Sequence, residues 1–580
     1  MSVKHIVFTA GGVLLGWVAA ATVACGSRSP EPREVAGTDR PAAAQPSVPS
    51  PMAAGATSST PSAPVLMNGL SGHHHPIATS NPDAQKFFDQ GFSLVYAFNH
   101  EEAVRSFQQA ARLDPRAAMP HWGIAWALGP NYNLDLDDPR ALQAYEAIQK
   151  ATSLATAGPA HEREYVDVMA GRYSADPRAD RTALARKYSR RVGELMRRHP
   201  DDLDAATLYA ESLMNLRPWK LWSLEGKPAE DTLEIVAILE SVLRRDPNHL
   251  GANHYYIHTI EASPNPARAL PSAKRLETLA PAAGHLVHMP AHIYARTGDQ
   301  AGAAGANQAG ANADRAYLKT VPADSFYGLA YFSHNLHFLA DSHMMQGREA
   351  DARRAATELA DYLTPHAQMM PMIESMLVTP VSVLMRFGRL DEILKVPEPA
   401  PDRPVETAWR HFARGVALAR LGRIDEAAAE RAALRAASSR IPETAMFGGT
   451  GLESARTILA LAATVLDARL AWARGDQITA IGVWTKAVVA SDRIPYDEPP
   501  VWFYPVRESL GAALLLANRP LEAERVFRQD LERHPLNARS LFGLRESLLK
   551  QGNESDAAWV GRAFEQAWQN ADTQLTLESL

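Results

Sequence analysis

The chain holds one cysteine in 580 residues, Cys25, so no cysteine nucleophile is available in the body that follows it. Basic residues do not outnumber acidic ones: 59 Lys and Arg stand against 65 Asp and Glu, and the formal charge is −6. Nucleic-acid binding relies on Lys and Arg neutralising phosphates, and no basic stripe is present to do it. Alternating strand-like runs are nearly absent and aromatics are 7% of the residues, which points to an all-α fold. Beyond residue 24 no apolar stretch is long enough to cross a bilayer. Catalytic signatures are missing as well: there is no Ser-His-Asp elbow, no glycine-rich phosphate cradle and no His-Glu-x-x-His.

What the chain does have is a period. Apolar residues recur at i, i+3, i+4 spacing in stretches such as 101–113 and 521–531, as an amphipathic helix requires. Phe87, Gly91, Leu94, Ala103, Phe107, Ala110 and Pro115 fall in one frame. Small residues there let two helices touch, and Pro115 ends the second because it cannot continue it. The frame returns at Pro247 and Pro281, with Ala269, Ala291 and Ala303 at the small positions, and again at Gly511, Ala523, Phe527 and Pro535. Short turns at Gly298-Asp299, Gly347-Arg348, Gly388-Arg389, Gly422-Arg423 and Gly475-Asp476 mark further helix-to-helix connections. On these residues the chain resembles the tetratricopeptide repeat (TPR) family, whose helix-turn-helix unit repeats about every 34 residues. The resemblance implies an α-solenoid over 76–580, with irregular insertions near 130–160, 217–230 and 395–405. A solenoid also accommodates the length, since each repeat packs only on its neighbours.

The N-terminus has the layout of a bacterial secretory signal. Lys4 and His5 precede an apolar run from Ile6 to Ala24, and Cys25 follows. Thr22-Val23-Ala24-Cys25 resembles a lipobox, with Thr22 where leucine is usual. The expectation is a signal peptide over 1–24, lipidation at Cys25, and a body held at the cell envelope facing the periplasm or exterior. An uncleaved signal anchor is the alternative, with the same outward location. Residues 25–75, rich in Pro, Ala, Ser and Thr, read as a disordered tether. Its end, His73-His74-His75, is a tract whose composition suits a transition metal, the more so if it folds back towards the other histidines; a polar, solvated loop is the alternative.

Those other histidines are the main feature. His254/His258 and His288/His292 are the same i,i+4 pair, 34 residues apart; i,i+4 spacing puts both rings on one helix face. Aligning Gly347-Arg348 with Gly298-Asp299 carries His285 and His288 onto His334 and His337. In the same register Asp341 matches His258 and His292, and one repeat earlier the match is Glu211. The family resemblance implies that these positions, with Glu261, face the concave groove where ligands bind. Packed helices lie about 8–10 Å apart, so rings from neighbouring helices can meet at one ion with bonds of about 2.0–2.1 Å. His254, His258, His285, His288, His292, His334, His337, Asp341 and Glu211 are therefore candidate ligands for zinc, copper or iron.

Two functional expectations follow. The first is a membrane-tethered scaffold whose histidine-rich groove takes a protein, peptide or small ligand, with Tyr255, Trp219 and Trp222 adding aromatic surface. The second is a metal-binding protein or metal-dependent enzyme using the multi-histidine site. His343, His121 and His411 fall at packing positions, and His100 sits in an inter-helix turn where capping is expected. The proline-rich stretch 496–505 reads as an ordinary connection over the last repeats, with a rim or lid as the alternative.

Overall fold

The computed structural model describes residues 64–370 and 372–580; the signal segment, Cys25 and most of the expected tether lie outside them. Consecutive helices pack as hairpins, beginning with Pro82–Tyr96 on His100–Leu113 and ending with Ala538–Lys550 on Glu554–Ala567. Among the described residues the only strands are Met446–Phe447 and Glu453–Ser454, an antiparallel pair with Met446 opposite Ser454.

The repeat frame is realised by close packing of rings on glycines. Phe107 is fully buried between two helices, and a Cβ at Gly91 or Gly123 would sit 2.7 or 2.6 Å from its ring. Phe527 repeats the arrangement against Gly511 and Gly543, where a Cβ would meet its ring at 2.5 and 2.1 Å. Only glycine lets the backbones approach so closely. Phe107→Ala is expected to cost about 3–5 kcal/mol of stability, the usual penalty for emptying such a site. A urea titration reads this, and an unchanged midpoint would mean the ring is not an inter-helix wedge. The turns at Gly298, Gly347, Gly388, Gly422 and Gly475 all have positive φ, from 65° to 90°, where a Cβ is disfavoured.

Two expectations are corrected. The insertion near 130–160 contains a regular helix, Asp138–Ala155, capped by Asp137, whose carboxylate accepts the Arg140 amide at 2.8 Å. The turn before His100 is capped by Asn99, whose side chain accepts the Glu102 amide. His100 instead opens the helix and donates to the Ala127 carbonyl at 2.9 Å.

The stack closes on itself. Helix Pro82–Tyr96 touches helix Leu250–Ile260, and a Cβ at Gly251 would lie 2.3 Å from the Tyr96 ring. Further on, Trp568 lies against Gly347, and the Asp572 carboxylate accepts the Glu349 and Ala350 amides at 2.7 and 3.0 Å. That distant carboxylate supplies the cap which Arg348 cannot give helix Glu349–Leu363. One large apolar cluster gathers the first half and another the second. The histidines lie where they meet.

The last part of the expected tether is also corrected: 64–75 is held on the first repeats. The Met67 amide donates to Gln90 at 2.7 Å, and the Gly69 carbonyl accepts the Ala282 amide at 3.0 Å. His73 and His75 reach Asp204, with nitrogen–oxygen distances of 3.1 and 2.8 Å. Polar anchors of this kind are invisible to composition.

Candidate metal centre

Three segments bring the rings together. Helix Leu250–Ile260 carries His254 and His258 on one face, with ring centres 4.8 Å apart. The next helical stretch is interrupted at Met289, between Gly284–His288 and Pro290–Thr297. Proline at 290 has no N–H to bond backwards, yet the backbone of Met289 stays helical. His285, His288 and His292 therefore keep their common face. Helix Ser333–Met345 brings His334, whose ring centre lies 4.7 Å from that of His288. His254 and His288 are fully buried, and His258, His285 and His292 are 2% exposed.

The rings are oriented from outside by oxygen acceptors. His254 Nδ1 donates to the Tyr96 carbonyl at 2.6 Å, and His288 Nδ1 to the Asn307 side-chain oxygen at 2.7 Å. Glu261 stands between two rings: His258 Nδ1 donates to Oε1 at 3.0 Å and His292 Nδ1 to Oε2 at 2.6 Å. In His254 and His288 the oxygen acceptor fixes the proton on Nδ1 and leaves Nε2 turned inwards, as in metal-ligating histidines, while His258 and His292 face Glu261 through Nδ1. Inside, the Nε2 atoms converge. Those of His254 and His285 are 3.1 Å apart and those of His288 and His292 are 2.7 Å apart. His258 Nε2 is buried with no hydrogen-bond partner, which costs about 1–3 kcal/mol unless something binds there.

The donor nitrogens form two all-imidazole sets, His254/His258/His285 and His288/His292/His334, and a third group joins His258 and His292 to Glu261 and Glu498; each group has its ligand atoms within 4.8 Å of one another. For tetrahedral coordination with bonds of 2.0–2.1 Å, ligand atoms sit roughly 3.3 Å apart, so small side-chain adjustments suffice. Burial, the largest influence, holds His254 down to about 3 and pushes His258, His285, His288 and His334 well below the ordinary imidazole range. Neutral imidazole is the form that ligates. His292 goes the other way, to about 10, because Glu498 and Glu261 outweigh its burial. Burial and the neighbouring Glu498 raise Glu261 well above the carboxylate range.

Glu498 was not singled out by the sequence. It comes from the proline-rich stretch 496–505, expected to be a plain connection, and its Oε1 stands 2.5 Å from His292 Nδ1. Tyr496 bonds Glu498, and Arg296 holds the stretch through the Tyr496 ring at 5.6 Å while donating to the Glu261 carbonyl at 3.0 Å. Periodicity offered no signal for this carboxylate, which arrives from a non-repetitive loop.

The other expected site residues separate. His337 and Asp341 continue along helix Ser333–Met345 and, with His334 and Glu498, line a small cavity. Burial pushes Asp341 up to about 7 and His337 down to about 4. Glu211 does not join the imidazoles: it accepts from Trp126 Nε1 at 3.2 Å and Asn215 at 3.0 Å. Tyr255 packs on His254 and Tyr96. Trp219 packs on Tyr132 and His258, while Trp222 donates to the Thr259 carbonyl at 2.7 Å. These last two flank the His258 helix and line no open groove around the histidines.

His73, His74 and His75 fold back, but to other partners. Asp204 gathers His73, His75, His249 and the Tyr96 hydroxyl, at 3.1, 2.8, 3.2 and 2.9 Å. His249 Nδ1 already accepts the Ala252 amide, which leaves its proton on Nε2, facing the carboxylate. His73, Asp204 and His249 place their ligand atoms within 4.8 Å of one another, so the tract joins a further candidate ion site; without an ion the arrangement acts as a charge-held clamp. Burial opposes the charge of His73, but Asp204 outweighs it and raises the ring above 6.5; His73, His249 and His75 in turn outweigh burial and hold Asp204 well below 3.8. The His73 contribution is complete below pH 6.5 and is lost as pH rises through its raised value. The Asp204 contribution is complete above pH 3.8 and is lost as pH falls through its lowered value. The clamp is thus tightest between those limits. Proteolysis near residue 72 is expected to be faster at pH 8 than at pH 6, and equal rates in the native chain and in His73→Ala at both pH values would disprove the clamp.

No family model matches the chain, and no curated protein is significantly similar to it. Among solved structures, the human IFIT1 dimer with m7Gppp-AAAA superposes with a TM-score of 0.31 at 13% identity, over 85% of this chain and 91% of that one. A Rap protein complexed with competence and sporulation factor gives 0.31 at 10% identity, over 64% and 99%. Yeast Tom70 gives 0.29 at 10%, over 85% and 98%. Likenesses of this degree carry no inference about ligands. By its own helices and turns, the protein is an all-α solenoid of stacked TPR-like hairpins.

Proposed function

We propose that the protein is a metalloprotein whose core takes a pair of transition-metal ions, one on His254/His258/His285 and one on His288/His292/His334. One observation carries this reading: outer ring nitrogens tied to oxygen acceptors while inner nitrogens converge at 2.7 and 3.1 Å. Without an ion such nitrogens must share protons in pairs. Glu261 and Glu498 stand behind the ligands, and a bound ion would favour their charged forms, which offset its charge.

The test is metal analysis of the purified chain after loading with copper or zinc and desalting. About two ions per chain are expected, with a clear loss in His258→Ala and in His292→Ala. A chain that retains no stoichiometric metal, or whose content ignores both substitutions, overturns the reading.

A second reading concerns the outer surface. The solenoid can also act as a scaffold for a protein or peptide, and the feature that favours this is an open cavity of about 1030 Å³ beside His161, Arg198, Asp202 and Asp246. A partner retained by the native chain and lost on Arg198→Glu would support it. Tethering to the cell envelope through lipid on Cys25 stays part of the proposal. Mass analysis of the N-terminal peptide checks it, and an unmodified Cys25 in membrane fractions would count against it.

A further inference from the structure

The first set of rings is buried, whereas the second is partly exposed at His334. The rings of one set are covered by Phe98, Tyr331 and Trp219. At the other set, His334 and Glu498 form part of the wall of a cavity of about 30 Å³, faced by Trp409, Phe447 and Phe503. One water needs roughly 10–15 Å³ of such space. The cavity therefore admits a water or a diatomic molecule.

The donor set narrows the metal. In the two trios every ligand is an imidazole nitrogen, with Glu261 and Glu498 beside His258 and His292 as further oxygen donors; the trios are adjacent, and ring centres across them lie 5.6 Å apart for both His285/His288 and His258/His292. Copper has the highest affinity among the divalent first-row ions for nitrogen ligands of this type. Three imidazoles leave each ion an open position.

Resting on the metal-pair reading, we propose that the centre is a dicopper site whose ligand is dioxygen, admitted through the cavity beside His334. The electrons balance within the site. Each of two cuprous ions gives up one electron and becomes cupric, and the two electrons reduce dioxygen to the peroxide level. No proton is needed for uptake. Release as hydrogen peroxide takes two protons, which enter from solvent through the cavity.

The test uses the full chain loaded with about two equivalents of copper, reduced with ascorbate under argon, and then mixed with oxygenated buffer. A new near-ultraviolet charge-transfer band is expected, with no cupric electron-spin signal because the two ions are coupled. Gly449 borders the cavity, and a Cβ there would have no neighbour closer than 3.5 Å. Gly449→Leu should therefore keep its copper yet slow the band by about tenfold. A chain that holds both coppers but shows no dioxygen-dependent band overturns the dioxygen proposal and leaves the metal pair standing. A chain without stoichiometric copper overturns both. An unslowed band in copper-loaded Gly449→Leu overturns the cavity as the route.

Discussion

Glu508→Ala is expected to destabilise the protein by about 3–5 kcal/mol, the cost of leaving one member of a buried ion pair alone. Arg386 and Glu508 are 2% and 0% exposed, and the guanidinium grips both carboxylate oxygens at 2.5 and 3.1 Å. Asn537 donates to the same carboxylate at 2.9 Å, and Arg539 donates to the Arg386 carbonyl at 3.3 Å. The pair joins helix Thr379–Arg386 to helix Val506–Leu516, which are far apart in the chain. Removing the carboxylate strands one guanidinium and weakens the hold on a second. Replacing both members, as Arg386→Met with Glu508→Met, should recover much of the loss, because apolar groups of similar volume carry no desolvation cost. Urea unfolding of the three variants decides the matter. A loss below about 1 kcal/mol for Glu508→Ala would place the pair in the class of weak exposed contacts.

Stripping metal should have a still larger effect. A ligand that binds only the folded chain stabilises it by about 4 kcal/mol at a thousandfold excess over its dissociation constant. Two ions would add roughly twice that if they act independently. The unloaded core also keeps the partnerless His258 Nε2. Chelation is thus expected to lower the thermal midpoint strongly, with recovery on adding copper or zinc. The double variant His258→Ala/His292→Ala should respond to neither treatment. An identical response in that variant would show that any bound metal sits elsewhere.

The fold was legible where its causes are local. Phe107 between glycines, Pro115 as a terminator and the Gly298-type turns each depend on a few neighbouring residues, and repetition multiplies the signal. The histidine cluster was half legible for the same reason, since i,i+4 spacing and a common repeat position place rings on one face whatever the rest of the chain does. What could not be read is where the solenoid bends back. Glu498 reaches His292 from a loop with no repeat register, and nothing near it in sequence says so. Glu211 was misassigned by extending the register one repeat too far, to a helix whose carboxylate turns to Trp126. Glu261 looked like a groove residue because its repeat position faces inwards, whereas its carboxylate bridges the Nδ1 atoms of His258 and His292. The open groove expected around the histidines is instead filled by Phe98, Tyr331 and the 496–499 stretch.

The Asp572 carboxylate on the amides of Glu349 and Ala350 has a consequence for unfolding. A linear array of hairpins can fray from an end, shedding one unit at a time while the remainder stands. Here the tail bolts onto the middle of the array, so peeling the last hairpins also uncaps a central helix. Melting should then be concerted across much of the second half, and a small cut near residue 572 should be felt hundreds of residues upstream.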